Sequence, residues 1–343
     1  MPPDPEPARN SQSPYSTIAV VGAGAWGTAL ALVAAGNAGK VLLWARESEI
    51  VASVAATREN ALFLPGVRLP ENIEATNDIA RAGEAEAVLL VTPAQHMRAV
   101  LGALRPVLKP KIPVVLCAKG IETGSGLILS EVLADILPDA EPAILSGPSF
   151  ARDVARKFPT AVTIAARESI AVRLQASLSQ SWFRPYVSED VVGVALGGAA
   201  KNVYAIACGM VEGAGLGESA RAATISRGFA ELMRLGAALG ARAETLMGLS
   251  GFGDLVLTAT SMSSRNFSLG VALGKGSRLA DLSGAGHPLA EGAATAPALV
   301  ARARRHGVEL PIAEGVAAVL AGRLGVAEAA ELLLSRPLKP EVR

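Results

Sequence analysis

The sequence predicts a two-part chain: an α/β half built on a doubly wound sheet, followed by an all-α half. Three observations carry that prediction. Short β-branched, apolar runs alternate with helical stretches from Thr17 to about Ser188. The first of these runs stops at a glycine-rich turn that opens a helix. Past Ser188 strand-like runs become rare, and Ala/Leu/Gly-rich segments with helical spacing take over. The expected division is an N-terminal extension over 1–16, the sheet half over 17–188 and the helical half over 189–343.

Composition narrows the function classes. A chain of 343 residues, half of them hydrophobic, can bury two cores of ordinary size. The net charge of +1 and the absence of a long basic run argue against nucleic acid or an anionic membrane as partner. Cys117 and Cys208 lie in apolar runs, as core thiols of a reducing compartment do. His96, His287 and His306 are scattered singly, so they read as surface or packing residues and no metal site is expected. The first sixteen residues are rich in Pro and Ser and have no apolar core, so they are expected to be disordered rather than a signal peptide. A cytoplasmic protein is the resulting expectation.

The α/β half begins with the strand Thr17–Val21, the loop Gly22-Ala23-Gly24-Ala25-Trp26-Gly27, a helix closed by Gly36, and a second strand at Lys40–Trp44. Strand, GxGxxG, helix and strand in this order form the Rossmann-type dinucleotide fingerprint in its proper context. The first glycine allows the tight turn, the second admits a pyrophosphate, and the third lets the helix pack on the strand. The helix N-terminus offers free N–H groups to the anion. At the end of the second strand Arg46 favours NADP(H), since a guanidinium accommodates a 2′-phosphate; Glu47 keeps NAD(H) open.

Further strands are predicted at Ala87–Val91, Ile112–Ala118, Pro142–Ser146 and Thr160–Ala166, with helices near Gln95–Leu104 and Leu127–Ile136. Ligands of such sheets bind beyond the carboxyl ends of the strands. The segments there, Thr92-Pro93, Lys119-Gly120 and Gly147-Pro148-Ser149-Phe150, place a cation, hydroxyls and glycines along one rim.

In the second half, helices are predicted over Asp190–Glu212, Glu218–Leu239, Ala243–Leu249, Leu289–His306, Pro311–Ala321 and Val326–Leu334. Ser188, Glu189 and Asp190 supply an acidic N-cap for the first. That helix holds the most informative stretch, Val191–Val211, whose single charge is Lys201. It is long enough to cross a bilayer, but a central Lys costs about 2.5–3.5 kcal/mol there. A lone Lys ordinarily snorkels to the surface. Beside a nucleotide loop a buried ammonium has a use: oxidising an alcohol requires a base, and burial brings a lysine pKa down from about 10.4. The preceding Gly197-Gly198-Ala199-Ala200 is expected to let a substrate or cofactor ring approach the helix backbone. Gly251-Phe252-Gly253-Asp254-Leu255 places an acid in a glycine-rich turn after helices, and by itself Asp254 reads as a turn aspartate. Ser264-Arg265-Asn266 is either a solvated surface or a donor set for a phosphate dianion. Glu291 reads as a helix-start carboxylate.

Eight segments in order then carry a resemblance. GAGAWGTALA (22–31), NALFLP (60–65), AKGIE (118–122), SGPSFA (146–151), GGAAKN (197–202), GDLVLT (253–258), SRN (264–266) and EG (291–292) resemble the signatures of the bacterial-type NAD(P)-dependent glycerol-3-phosphate dehydrogenases. The resemblance implies reversible reduction of dihydroxyacetone phosphate to sn-glycerol 3-phosphate with NADPH or NADH, feeding glycerophospholipid synthesis in a cytoplasmic homodimer. It implies that Lys201 is the proton donor and acceptor, with Lys119 and Asp254 beside it. Lys119, Gly147, Ser149, Lys201, Asp254, Ser264, Arg265 and Asn266 fall on its substrate positions. Its cofactor positions fall on Gly22, Gly24, Ala25, Trp26, Gly27, Arg46, Lys119, Ala151, Arg265, Leu289 and Glu291. Ala25 departs from the serine common there and removes one hydroxyl near the pyrophosphate. Two other classes fit a glycine loop: a β-hydroxyacid-type dehydrogenase, and a non-catalytic regulator that senses NADP.

Overall fold

The computed structural model describes residues 13–282 and 290–338. Most of the N-terminal extension lies outside the described residues, as do His287 and the predicted cofactor residue Leu289.

One eight-stranded sheet organises the first half. Its strands are β1 (Thr17–Val21), β2 (Lys40–Trp44), β3 (Ile73–Thr76), β4 (Ala87–Leu90), β5 (Pro113–Leu116), β6 (Glu141–Ser146), β7 (Thr160–Ala165) and β8 (Phe183–Ser188). They lie in the order β3-β2-β1-β4-β5-β6-β7-β8. From β3 to β6 all neighbours are parallel. The chain reverses direction of winding between β1 and β4, so a crevice opens at their carboxyl ends. Helices α1 (Ala25–Ala35), α2 (Ser48–Thr57), α3 (Met97–Leu104), α4 (Leu129–Ile136), α5 (Ala151–Ala155) and α6 (Glu168–Leu178) accompany the sheet. The central strands are unbroken apolar runs because two cores, one on each face, bury both sides.

Helices α2, α5 and α6 add to those expected, and the sheet differs from the expectation in two respects. Strand β7 runs antiparallel to β6, so its carboxyl end points away from the crevice rim. Strands β3 and β8 were not expected. The first is four residues long and half-buried, and the second carries Pro185, which is tolerated because β8 is the edge strand.

Beyond Ser188 the described residues form α7 (Val191–Gly213), α8 (Glu218–Ala238), α9 (Ala243–Met247), α10 (Asp254–Ala259), α11 (Arg265–Gly274), α12 (Leu279–Leu282), α13 (Glu291–Arg305), α14 (Pro311–Leu320) and α15 (Val326–Leu334). Asp190 caps α7, its carboxylate accepting from Gly193 N at 2.7 Å. Helix α7 passes through the middle of this half, against α8, α10, α11, α13 and α14, and also touches β6. It is long and apolar enough to span a membrane, yet Gly193–Met210 are almost all buried inside the protein, which makes it a core helix. Its contact with α11 is very close. A Cβ on Gly209 would lie 2.1 Å from the Phe267 carbonyl oxygen, and one on Gly270 would lie 2.1 Å from that of Ile206. Gly213 and Gly274 repeat the arrangement one turn on, so backbones meet where side chains would otherwise stand. Cys117 and Cys208 are buried free thiols, and His96 and His306 are exposed.

Candidate active site

The glycine loop sits at the crevice between β1 and β4. Gly22 has φ 118°, and a Cβ there would press on the Val91–Thr92 backbone at 3.0–3.2 Å. A Cβ on Gly27 would lie 1.7 Å from the Gly22 carbonyl oxygen. Both positions are therefore closed to other residues, Gly22 by the backbone after β4 and Gly27 by the loop itself. Gly24 differs: it is exposed, has an ordinary φ of −65°, and nothing lies within 4 Å of the place its Cβ would take. An open approach at the N-terminus of α1 is what a pyrophosphate requires. Ala25 and Trp26 form the first turn of α1, Trp26 resting against the core below. Ala151 begins α5, which packs on α1. Arg46 lies two residues beyond β2 with its side chain exposed, and its guanidinium bonds the Glu47 carboxylate at 2.9 Å.

The catalytic candidates meet where α7 and α10 approach the same rim. Asp254, 1% exposed, bridges two ammonium groups: Lys119 Nζ donates to Oδ2 at 2.6 Å, and Lys201 Nζ lies 3.1 Å from Oδ1. Lys201 also donates to Thr258 Oγ1 at 2.7 Å, and that hydroxyl donates onward to Asp254 Oδ1 at 3.2 Å. Lys119 reaches its place from the segment after β5 and is steadied by the Gly147 carbonyl at 3.0 Å, which also accepts from Ser149 Oγ at 3.1 Å. Gly147 has φ 148°, and a Cβ would run into Val162 Cα at 2.8 Å, so no other residue offers this carbonyl as easily.

Burial is the main cause that pulls the Lys201 pKa down to about 8; Asp254 opposes the shift and Lys119 adds to it. Burial alone would raise the Asp254 pKa, but the two lysines outweigh it and hold the carboxyl below its ordinary value. One carboxylate against two ammonium groups leaves the cluster positive, which suits a phosphorylated substrate or an oxygen gaining negative charge. Thr258 was not singled out from the sequence. Its signal was the Asp254–Thr258 spacing of four, which puts both on one face once α10 is known to start at Asp254. Asp254 itself is not in an open turn: Leu249–Gly253 form one wide π turn that delivers it, buried, to the first position of α10.

The neighbouring predicted residues take distinct places. Ser264 caps α11 by accepting from Phe267 N at 3.2 Å. Asn266 is buried, donating to Asn202 Oδ1 at 2.8 Å and accepting from Gly292 N at 2.9 Å, so it ties α7, α11 and α13 together. Asn202 in turn donates to the Lys119 carbonyl at 3.4 Å. Arg265, on the first turn of α11, is exposed. Glu291, at the start of α13, accepts from Ala94 N at 3.4 Å, beside the β4 rim segment; burial raises its pKa. The glycines before Lys201 do not serve ligand approach. A Cβ on Gly197 would meet the Ser250–Gly251 backbone at 3.0 Å, and one on Gly198 would meet Ser146 Oγ at 2.6 Å. They let the π turn and β6 pack on α7, and so bring Asp254 to Lys201.

A doubly wound sheet with an open glycine loop, joined at its rim to a buried Lys–Asp–Lys cluster, is the architecture of a nicotinamide-dinucleotide oxidoreductase. The models of the NAD-dependent glycerol-3-phosphate dehydrogenase N-terminus and C-terminus match residues 17–171 and 190–331. A glycerol-3-phosphate dehydrogenase [NAD(P)+] from Parvibaculum lavamentivorans is 57% identical over 328 residues, covering 95% of this chain and 98% of that protein. Its counterpart from Rhodospirillum rubrum is 55% identical over 326 residues, 94% of this chain and 93% of the other. Among solved structures, the glycerol-3-phosphate dehydrogenase of Coxiella burnetii superposes with a TM-score of 0.89 at 38% identity, covering 94% of this chain and 99% of that one. The chain belongs to the NAD(P)-dependent glycerol-3-phosphate dehydrogenase family. That membership sets aside the β-hydroxyacid-type dehydrogenase and the non-catalytic regulator.

Proposed function

We propose that the chain interconverts dihydroxyacetone phosphate and sn-glycerol 3-phosphate, with Lys201 moving the proton at the C2 oxygen. The observation that carries this is the buried bridge from Lys119 through Asp254 to Lys201. The dinucleotide, when bound, supplies or accepts the hydride at C2. Lys201, tuned to about pH 8, protonates the ketone oxygen in reduction and takes the hydroxyl proton in oxidation. Asp254 and Thr258 fix its orientation, and Lys119 adds a second positive charge beside the carbonyl. Arg265, exposed on the first turn of α11, is the guanidinium for the phosphate; Ser264 caps that helix and Asn266 ties it to α7 and α13, while the Gly147 carbonyl steadies Lys119 and Ser149. Gly22, Gly24, Ala25, Trp26 and Gly27 would hold the pyrophosphate, with Ala151 at the start of α5 beside α1 and Glu291 against Ala94 beyond β4.

Arg46, two residues beyond β2, supports a preference for NADP(H); the adjacent Glu47 carboxylate, as an acceptor for a ribose 2′-hydroxyl, keeps NAD(H) in use. The homodimer and the cytoplasmic setting, with the product passing to glycerophospholipid synthesis, rest on the family resemblance. A spectrophotometric assay with dihydroxyacetone phosphate, run in parallel with NADPH and NADH, tests the activity. Oxidation of both cofactors, NADPH with the lower KM, is expected. No turnover with either would overturn the proposal.

A further inference from the structure

The segment Asn60–Pro65 has no part in the chemistry derived above, yet Asn60 is fully buried. Its Nδ2 donates to the Ala23 carbonyl at 2.7 Å and to Thr28 Oγ1 at 2.8 Å, while its Oδ1 accepts from Phe63 N at 3.2 Å. Thr28 Oγ1 also donates to the Ala23 carbonyl, at 3.3 Å. The carbonyl at the centre of Gly22-Ala23-Gly24 is thus held from the interior by two buried donors on different segments. In a trans peptide the C=O and the following N–H point to opposite sides, and no described peptide is cis. Pinning the Ala23 oxygen inward turns the Gly24 N–H outward, at the one glycine of the loop whose surroundings are open.

We propose that Asn60 is a positioning residue for the cofactor: it fixes the Ala23–Gly24 peptide so that its N–H faces the dinucleotide pyrophosphate. This rests on the assignment of the Gly22–Gly27 loop as the pyrophosphate site. Asn60→Asp keeps the shape and the acceptor for Phe63 N but sets an oxygen against the Ala23 carbonyl. Thr28→Val removes the second donor, and Thr28→Ser retains it.

Fluorescence titration of the full chain with NADPH and with NADH provides the test. Asn60→Asp is expected to raise Kd roughly tenfold to a hundredfold, and Thr28→Val by a few-fold in the same direction. Thr28→Ser should stay within about twofold, and the KM for dihydroxyacetone phosphate at saturating cofactor should move little in all three. A lowered Tm with an unchanged Kd in Asn60→Asp would overturn the proposal and leave Asn60 a purely structural residue. If Asn60→Asp does not fold, an unchanged Kd in Thr28→Val decides against it. Gly24→Val separates the two levels. If it abolishes binding while Asn60→Asp does not weaken it, only the role of Asn60 fails; if it has no effect, the loop assignment fails and takes this inference with it.

Discussion

Replacing Asp254 by Asn removes the negative charge that holds Lys201 and Lys119 together while keeping the side chain's size. Asp254 Oδ1 lies 3.1 Å from Lys201 Nζ. With an effective dielectric constant of about 20, a unit pair at that distance is worth roughly 5 kcal/mol, equivalent to between three and four pKa units. Relaxation and water entry take up part of this, so a drop of about one to three units in the Lys201 pKa is expected. Starting from about 8, the lysine would then titrate near neutrality or below. The assay is the pH dependence of kcat for dihydroxyacetone phosphate reduction, which in the proposed mechanism uses the protonated lysine. The wild type should lose activity as pH rises through about 8, whereas Asp254→Asn should lose it at least one unit lower. At pH 8 the variant should be slower by about ten- to a hundredfold and recover part of the loss on acidification. The reverse reaction needs the neutral amine, so its acid limb should move the same way. A variant whose limb stays at the wild-type pH would refute the electrostatic role assigned to Asp254.

Three further outcomes are expected from packing and charge elsewhere in the molecule. Gly209→Ala drives a methyl group to 2.1 Å from the Phe267 carbonyl oxygen and should lower stability by about 1–3 kcal/mol, measured by denaturant unfolding; an unchanged midpoint would contradict the close α7–α11 crossing. Glu231 is buried against Ile312 N and Ala313 N, and burial pushes its pKa up to about 7. Between its unfolded value near 4.5 and about 7 the folded state holds the extra proton, so this contribution is full at low pH and lost as pH rises through 7. Tm of wild type minus that of Glu231→Gln should therefore fall from pH 5 to pH 8; a flat difference would contradict the shift. Arg46→Ala should cut the proposed preference for NADPH over NADH by about tenfold in kcat/KM, since a 2′-phosphate would lose the guanidinium just beyond β2; an unchanged ratio would place the discrimination elsewhere.

The elements legible in the sequence were those with strong local signals. GxGxxG between a strand and a helix identified the loop because each glycine has a local reason. The central strands were plain because both faces are buried. Lys201 stood out as one charge in an apolar run. What stayed hidden depended on partners far along the chain. The burial of Asp254 follows from a π turn whose glycines look like an ordinary loop. The glycines before Lys201 face protein backbone rather than ligand, which local sequence cannot distinguish. Ser264 and Asn266 look like phosphate donors in isolation, whereas in the fold one caps α11 and the other joins three helices. The antiparallel course of β7 has no mark in a run that is apolar in either direction. The paired spacings Gly209–Gly213 and Gly270–Gly274 were available as a pattern of close helix contact, but only the partner helix gives that pattern a meaning.

The proposed proton transfer by Lys201 underlies every other role at the site. Its most direct test is single-turnover and steady-state reduction of dihydroxyacetone phosphate by NADPH in Lys201→Ala, with cofactor affinity measured in the same samples. Turnover should fall by about 10²–10⁴ while the NADPH Kd stays within a few-fold of wild type. Near-full turnover in that variant would contradict the account.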